Sequence, residues 1–257
     1  MLAVDRQSMM VELLEREGTV SVATFSKLLD TSEATVRRDI NILDKIGKLK
    51  KVYGGATIST NELFSTRELD SKEKNTINVN EKRQIAMYAA SLIEDGDSVY
   101  IDAGTTTGFV PEFLKNKNAF FVTNGIEIAK SLTFLGMKTV LLGGNIKLST
   151  DSVIGEECIR ILKKYNFNKG FFGTNGITSN EGFTTPDSKE AAVKSYAISH
   201  TKDVYILADS DKFGKIYAVT FLNIADAVIV TNNSKINSFP KKAKAIDLSD
   251  KKMEGAV

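Results

Sequence analysis

Apolar residues recur at helical spacing through the first 50 positions and shift to short β-rich runs beyond residue 81. Between Asp5 and Glu17, Met10, Leu13 and Leu14 share one helical face, and Gly18 is a stop signal. Ser21 is placed to cap a second helix, Val22 to Leu29. Ser32 is placed to cap a third, Glu33 to Ile46, which Gly47 ends. Only Asp30, Thr31 and Ser32 separate the second helix from the third, the spacing of a helix-turn-helix. Leu49–Tyr53 and Ala56–Ile58 then flank Gly54 and Gly55, a hairpin signal. Residues 59–80 are polar and predict a linker with one short helix.

From residue 81 the predicted strands are Ser98–Ile101, Ala119–Thr123, Lys138–Leu142, Gly170–Phe172, Val204–Ala208 and Ala227–Val230. Between them lie predicted helices over Glu81–Glu94, Thr107–Lys115, Ile126–Leu135, Glu156–Lys164 and Ser188–Ser199. Such alternation implies a mostly parallel sheet covered by helices. The expected organisation is therefore an N-terminal all-α winged helix-turn-helix with a small β-hairpin wing over 1–58, a linker over 59–80, and an α/β domain over 81–257.

Composition bounds the function. A hydrophobic fraction of 42% in 257 residues supports a real core. The single cysteine, Cys158, cannot form an internal disulfide and points to a reducing, cytoplasmic setting. With one cysteine and one histidine, His200, a zinc site of the usual kind cannot be assembled within the chain, and no cofactor is expected. His200 falls at a predicted helix end, a capping position rather than a triad member. The N-terminus lacks the apolar core of a signal peptide, and no apolar run nears the roughly 20 residues that cross a bilayer, so a soluble protein is expected.

The net charge is only +2, yet its distribution is uneven. Residues 37–51 hold Arg37, Arg38, Lys45, Lys48, Lys50 and Lys51 against Asp39 and Asp44. On the third helix Val36, Ile40 and Leu43 form the packing face, while Ala34, Arg38, Asn41 and Lys45 lie opposite, with Thr35 and Arg37 on the flanks. Arg can bond guanine edges, Asn adenine edges, and Arg and Lys also meet phosphates. The candidate DNA-binding set is Ser32, Ala34, Thr35, Arg37, Arg38, Asn41 and Lys45 on the helix, and Lys48, Lys50, Lys51 and Tyr53 on the wing. A solvated basic helix is the plainer reading; the cap, short turn, Arg pair and basic Gly-Gly hairpin in this order argue against it.

In the α/β domain several predicted strands end in small polar residues, where an open parallel sheet binds ligands. Glycines there admit a ligand to backbone amides. Gly104 with Thr105, Thr106 and Thr107 is the best phosphate cradle, without the lysine of a nucleotide P-loop. Lys194 and Lys212 are candidate cations for the phosphate, and Asp102 and Asn124 candidate partners for sugar hydroxyls. Thr123, Gly143, Gly144 and Glu190 complete the candidate effector set. Each is individually explicable as a tight turn, cap or solvated face; the repetition at strand ends argues for a site.

The run Thr31-Ser32-Glu33-Ala34-Thr35-Val36-Arg37-Arg38-Asp39-Ile40, followed by Lys51-Val52-Tyr53-Gly54-Gly55-Ala56, resembles the DeoR-type winged helix-turn-helix. Lys51 and Tyr53 stand where that family has Arg and His; Lys51 keeps the charge but loses bidentate geometry. Residues 81–231 resemble the DeoR sensor domain through Asp102-Ala103-Gly104-Thr105-Thr106-Thr107, Phe172-Gly173-Thr174-Asn175-Gly176, Glu190 with Lys194, and Asp209-Ser210-Asp211-Lys212-Phe213-Gly214. The resemblance implies a fold similar to ribose-5-phosphate isomerase that binds phosphorylated sugars without turning them over. Phe171-Phe172-Gly173-Thr174-Asn175-Gly176 and Glu181-Gly182-Phe183-Thr184-Thr185-Pro186-Asp187 are similar to the fructose operon repressors of that family. Fructose 1-phosphate is the effector this implies, releasing the protein from double-stranded operator DNA. Thr231-Asn232 departs from the Thr-Asp with which the family often ends its last core strand.

Helix-turn-helix proteins bind paired half-sites, so a homo-oligomer, dimer or tetramer, is expected. Two rival readings remain at this level. One is a sugar-phosphate isomerase-like enzyme using Asp102 or Glu190 as base. The other is a DNA-binding protein whose second domain only oligomerises; a filled-in crevice at Gly104 and Gly143 would support it.

Overall fold

The computed structural model describes residues 2–45, 48–57, 70–114, 118–233, 236, 239 and 243–249. It divides into two units, Met1–Ser65 and Thr66–Val257. Expectations that fall on Ile46, Gly47 and residues 58–69 lie outside the described residues.

In the first unit α1 spans Ala3–Glu17, α2 Val22–Leu28 and α3 Glu33–Lys45. The predicted stop at Gly18 and the predicted caps at Ser21 and Ser32 are in place. Gly18 takes φ 75° and returns its amide to the Leu14 carbonyl. The Ser21 hydroxyl accepts from the Thr24 amide at 3.0 Å, and the Ser32 hydroxyl from the Thr35 amide at 3.2 Å. Asp30 adopts the left-handed conformation, φ 47°, which lets the chain reverse in so short a turn. Met10, Leu14, Phe25, Val36, Ile40, Leu43 and Leu49 close the core.

The hairpin forms from β2, Lys50–Val52, and β3, Gly55–Thr57. A further strand, β1 (Thr19–Ser21), pairs with β3 and makes a three-stranded sheet in the order β1-β3-β2, so the unit is not all-α outside its wing. Gly55 is required by that third strand: a Cβ there would lie 2.3 Å from the Val20 carbonyl oxygen.

In the second unit β4 (Ser98–Ile101), β5 (Phe120–Thr123), β6 (Lys138–Leu141), β9 (Phe167–Gly173), β12 (Thr201–Leu207), β14 (Val228–Thr231) and β15 (Lys244–Asp247) build one seven-stranded sheet. Its order is β15-β14-β12-β9-β4-β5-β6, and every pairing is parallel. Side chains alternate between two cores, as a sheet covered on both faces requires. Tyr100, Val122, Phe172, Ile206 and Ile229 face one layer, containing α7 (Glu156–Leu162) and α8 (Ser188–Ser199). Val99, Ile101, Phe121, Phe171 and Leu207 face the other, containing α5 (Val79–Ser91) and α6 (Ile126–Phe134). Burial of each such side chain stabilises the fold by about 1.5–3 kcal/mol.

The short helix expected within residues 59–80 is α4, Ser71–Asn75, and it lies inside the second unit rather than in a linker. Other features were not predicted. Residues 107–113 form a 3-10 helix with Pro111 inside, rather than the expected α-helix, whose predicted end at Lys115 lies outside the described residues. A ribbon pairs β7 (Asn145–Lys147) with β8 (Ser152–Ile154). A three-stranded antiparallel sheet joins β10 (Gly176–Thr178), β11 (Gly182–Thr185) and β13 (Val219–Leu222). Among the described residues no helix is long and apolar enough to cross a membrane, and no cluster of metal-binding side chains occurs.

Candidate nucleic-acid interface and ligand cavity

On α3 the buried residues are Val36, Asp39, Ile40 and Leu43. Ser32, Ala34, Arg37, Arg38, Asn41 and Lys45 are exposed, and Thr35 is half-buried. Lys48, Lys50, Lys51 and Tyr53 are likewise exposed, Tyr53 completely, at the tip of the hairpin. Helix and hairpin form one surface: the Lys51 ammonium donates to the Asn41 side-chain oxygen at 2.8 Å, and the Lys51 amide to the Asp44 carboxylate at 2.9 Å. Arg37 is engaged by Glu33 one turn earlier at 2.7 Å, an exposed pair of small energetic weight. No described residue pairs with the Arg38 guanidinium.

Asp39 does not belong to the exposed charge. It is buried and takes the Arg6 guanidinium at 2.6 Å and the Gln7 amide at 2.9 Å. Hydrogen bonding to that carboxylate raises the Arg6 pKa. The pair ties α1 to α3 and leaves the exposed surface of α3 and the hairpin more basic than the sequence count implies.

In the second unit the chain starts in the middle of the sheet. It runs from β4 outward to β6, then returns to β9 on the opposite side of β4 and continues to β15. The carboxyl ends of β4 and β9 therefore diverge at a switch point, where open α/β sheets form their ligand crevice. Asp102 follows β4 and Gly173 ends β9. The Asp102 carboxylate accepts from the Gly173 amide at 3.0 Å and is ion-paired with the Lys194 ammonium, which also donates to the Gly173 carbonyl at 3.2 Å. Burial pushes the Asp102 carboxyl above its ordinary pKa, and Lys194 opposes the rise.

Above this pair lie two adjoining cavities, of about 260 Å³ and 50 Å³, that share Ser71, Ala103, Gly104, Thr105 and Thr150. The larger reaches Asn75, Phe109, Glu112, Gly125, Glu127 and Ser131. The smaller reaches Lys74, Thr106, Thr174, Asn175, Glu190, Lys194 and Lys212. Glu190 is held by the Thr150 hydroxyl at 2.6 Å and by Lys147 at 3.3 Å. Lys212 lies 3.6 Å from the buried Asp209 carboxylate.

The structure thus gathers Gly104, Thr105, Thr106, Glu190, Lys194 and Lys212 around one opening, with Asp102 beneath it. It does not bring Thr107, Thr123, Asn124, Gly143 and Gly144 there. Thr107 turns inward and donates to the Gly104 carbonyl at 3.0 Å. Thr123 donates to the Ile101 carbonyl at 2.5 Å and accepts from Gly125, locking the end of β5. Asn124 is fully committed: its oxygen accepts from Tyr100 and the Ala103 amide, and its amide donates to the Val153 carbonyl. It shapes the loop after β4 instead of facing a ligand. Gly143 and Gly144 are packing glycines. A Cβ would lie 3.2 Å from Ile161 at the first, and 2.8 Å from the Ile154 carbonyl at the second.

Missed from the sequence were Ser71, Lys74 and Asn75 on α4, and Thr150 on the ribbon. A signal for α4 was present: Asp70 and Glu73 have capping-box spacing, and both reciprocal bonds form. Thr174 and Asn175, within the Phe172–Gly176 run, also line the smaller cavity. His200 caps α8 and stacks on Tyr196 at 4.4 Å, as its position predicts. Burial pushes the Cys158 thiol up to about 12, so it is an inert core group.

Residues 6–62 match the DeoR-like helix-turn-helix domain, and residues 77–233 match the DeoR C-terminal sensor domain. The chain belongs to the DeoR family. It is 39% identical over 241 residues to the uncharacterized HTH-type transcriptional regulator FruR of Bacillus subtilis, covering 93% of this chain and 94% of that one. It is 36% identical over 214 residues to the HTH-type transcriptional regulator IolR of the same organism, covering 82% and 84%. It is also similar to the lactose phosphotransferase system repressor of Streptococcus mutans, at 30% identity over 248 residues, 95% of this chain and 98% of that one. Among solved structures, ribose 5-phosphate isomerase A of Methanocaldococcus jannaschii gives a TM-score of 0.40 at 15% identity, covering 53% of this chain and 55% of that one. As a DeoR-type regulator, the chain carries its DNA-binding module first and its sensor module second.

Proposed function

We propose that this protein represses a sugar-uptake or sugar-catabolism operon, holds its operator through α3 and the β2–β3 hairpin, and is released by a phosphorylated sugar, fructose 1-phosphate. The observation that carries the ligand half is the switch-point cavity: Gly104, Thr105 and Thr106 on one side, Lys194 and Lys212 on the other. Backbone amides beside glycine and adjacent ammonium groups are what a phosphate requires, and the larger cavity accepts the sugar. The cavity is open at Gly104, which speaks against a purely oligomerising domain. Asp102 and Glu190, the carboxylates an isomerase would use as base, are each held by a lysine, which favours sensing over turnover.

The DNA half rests on the exposed row of Arg38, Asn41 and Lys45, continued by Lys50, Lys51 and Tyr53 on the hairpin. Two half-sites imply a homo-oligomer. The test is an operator selected from a random duplex library and titrated with and without fructose 1-phosphate. The reading predicts tight binding without the sugar phosphate and release with it; an operator affinity indifferent to every sugar phosphate tried would overturn it.

A further inference from the structure

Helix α3 and the hairpin are joined through one residue, Lys51 of β2. Its backbone pairs with the buried Ala56 of β3, which fixes the strand in the core of the first unit. From there Lys51 reaches α3 twice. Its amide donates to the Asp44 carboxylate at 2.9 Å, and its ammonium donates to the Asn41 side-chain oxygen at 2.8 Å. Asn41 and Asp44 stand three positions apart and are neighbours on the helix surface. The first bond holds the hairpin to the helix whatever side chain stands at 51. The second links two exposed side chains of the candidate DNA surface.

That second bond decides which way the Asn41 amide faces. An ammonium carries donors and no acceptor, so the amide turns its oxygen to Lys51 and its NH2 group away. Among the described residues nothing accepts from that NH2 group, and Asn41 is the one acceptor of the Lys51 ammonium. A lone asparagine suits adenine, giving one hydrogen bond to N7 and taking one from the amino group. Guanine instead presents two acceptors, N7 and O6, and calls for two donors. With its oxygen held by Lys51, the pair offers donors: the Asn41 NH2 group, and beside it the hydrogens that the ammonium does not spend on Asn41. The second lone pair of that oxygen still admits an adenine amino group, but the amino group would then crowd the ammonium, donor against donor.

We propose that Asn41 and Lys51 read one base pair as a unit, the asparagine NH2 group on N7 and the lysine ammonium on O6 of a guanine. A hairpin residue thus sets the base preference of a helix residue. This rests on the reading of α3 and the hairpin as the operator-binding surface. It gives Lys51 a role that a contact to phosphate alone does not have, since phosphate contacts carry no sequence information.

The experiment uses the full chain and duplexes selected from a random library by wild type and by Asn41→Ala, Lys51→Met, Lys51→Arg and Lys50→Met. The position whose preference Asn41→Ala erases is the one Asn41 reads. Duplexes carrying each of the four base pairs there are then compared in competition. Wild type favours guanine over adenine by about tenfold at that position. Lys51→Met keeps the backbone bond to Asp44, so the hairpin stays docked, and its preference passes to adenine. Lys51→Arg restores the donors and keeps guanine. Lys50→Met removes the same charge from the neighbouring residue; it binds all sequences more weakly alike and keeps guanine. Three results would each overturn the proposal: wild-type preferences in Asn41→Ala, a base other than guanine at the position it reads, or a Lys51→Met variant that merely weakens all sequences as Lys50→Met does. A wild-type chain that selects no duplex would instead overturn the operator-surface reading beneath it.

Discussion

At the scale of single residues, the surfaces divide into side chains that face outward and side chains that hold others in place. Arg38 faces outward without a partner among the described residues, so Arg38→Ala is expected to cost about 1–3 kcal/mol of operator affinity and to relax preference at one base position. Lys50 is exposed on the hairpin; Lys50→Ala is expected to weaken all sequences alike and to flatten the salt dependence by about one unit of slope. Binding by both variants indistinguishable from wild type would place the DNA surface elsewhere. Asp102 and Lys194 act on each other inside the fold. Lys194→Met leaves a buried carboxylate without its cation, at a cost of about 3–5 kcal/mol near neutral pH. Burial already raises the Asp102 pKa in the folded state, and removing Lys194 raises it further. The folded variant then binds a proton more readily than the unfolded chain, so its stability should recover on acidification and fall as pH rises through that elevated pKa. Thermal melting from about pH 5 to pH 8 checks the sign; a loss that does not vary with pH would mean that Asp102 is not the group responsible.

At the scale of elements, the helices and central strands were legible because each carries its own signal. Ser21, Ser32 and Gly18 mark ends, and alternation of Val99, Tyr100 and Ile101 marks a strand covered on both faces. What escaped lacked such a signal. β7, β8, β10 and β1 have three residues each, too few for a period to declare itself. β12 begins at Thr201 rather than Val204 because Lys202 and Asp203 are exposed and read as loop. Asp39 was counted as solvent-facing charge because nothing in its own helix announces Arg6, 33 positions away. The strand-end logic located the cavity but overfilled it. Thr123 and Asn124 also lie at a strand end, yet their polar atoms are taken by the Ile101 and Val153 carbonyls, the Gly125 and Ala103 amides and the Tyr100 hydroxyl. Gly55 gives a direct check on the third strand of the first unit. Gly55→Ala forces a Cβ into the Val20 carbonyl and is expected to destabilise the unit by about 1–3 kcal/mol. Unchanged melting would mean that β1 does not pair with β3 in solution.

At the scale of the whole molecule, two units, each with its own core residues, explain how one chain can carry a reader and a sensor. The second begins earlier than composition implies, since Ser71, Lys74 and Asn78 all bond into it. A fragment of residues 66–257 should therefore melt higher than one of 81–257, in which the buried Lys82 loses the Lys74 carbonyl and Asp209 loses Asn78. Equal melting of the two would show that α4 adds nothing to the unit. The central claim is that the crevice between β4 and β9 recognises a sugar through its phosphate. The most direct measurement is calorimetric titration of the full chain with fructose 1-phosphate and with fructose, in wild type and Lys212→Ala. The account predicts saturable binding of fructose 1-phosphate, weakened by about tenfold in the variant, and little binding of the free sugar. Fructose binding as tightly as its phosphate, or Lys212→Ala binding the phosphate like wild type, would contradict it.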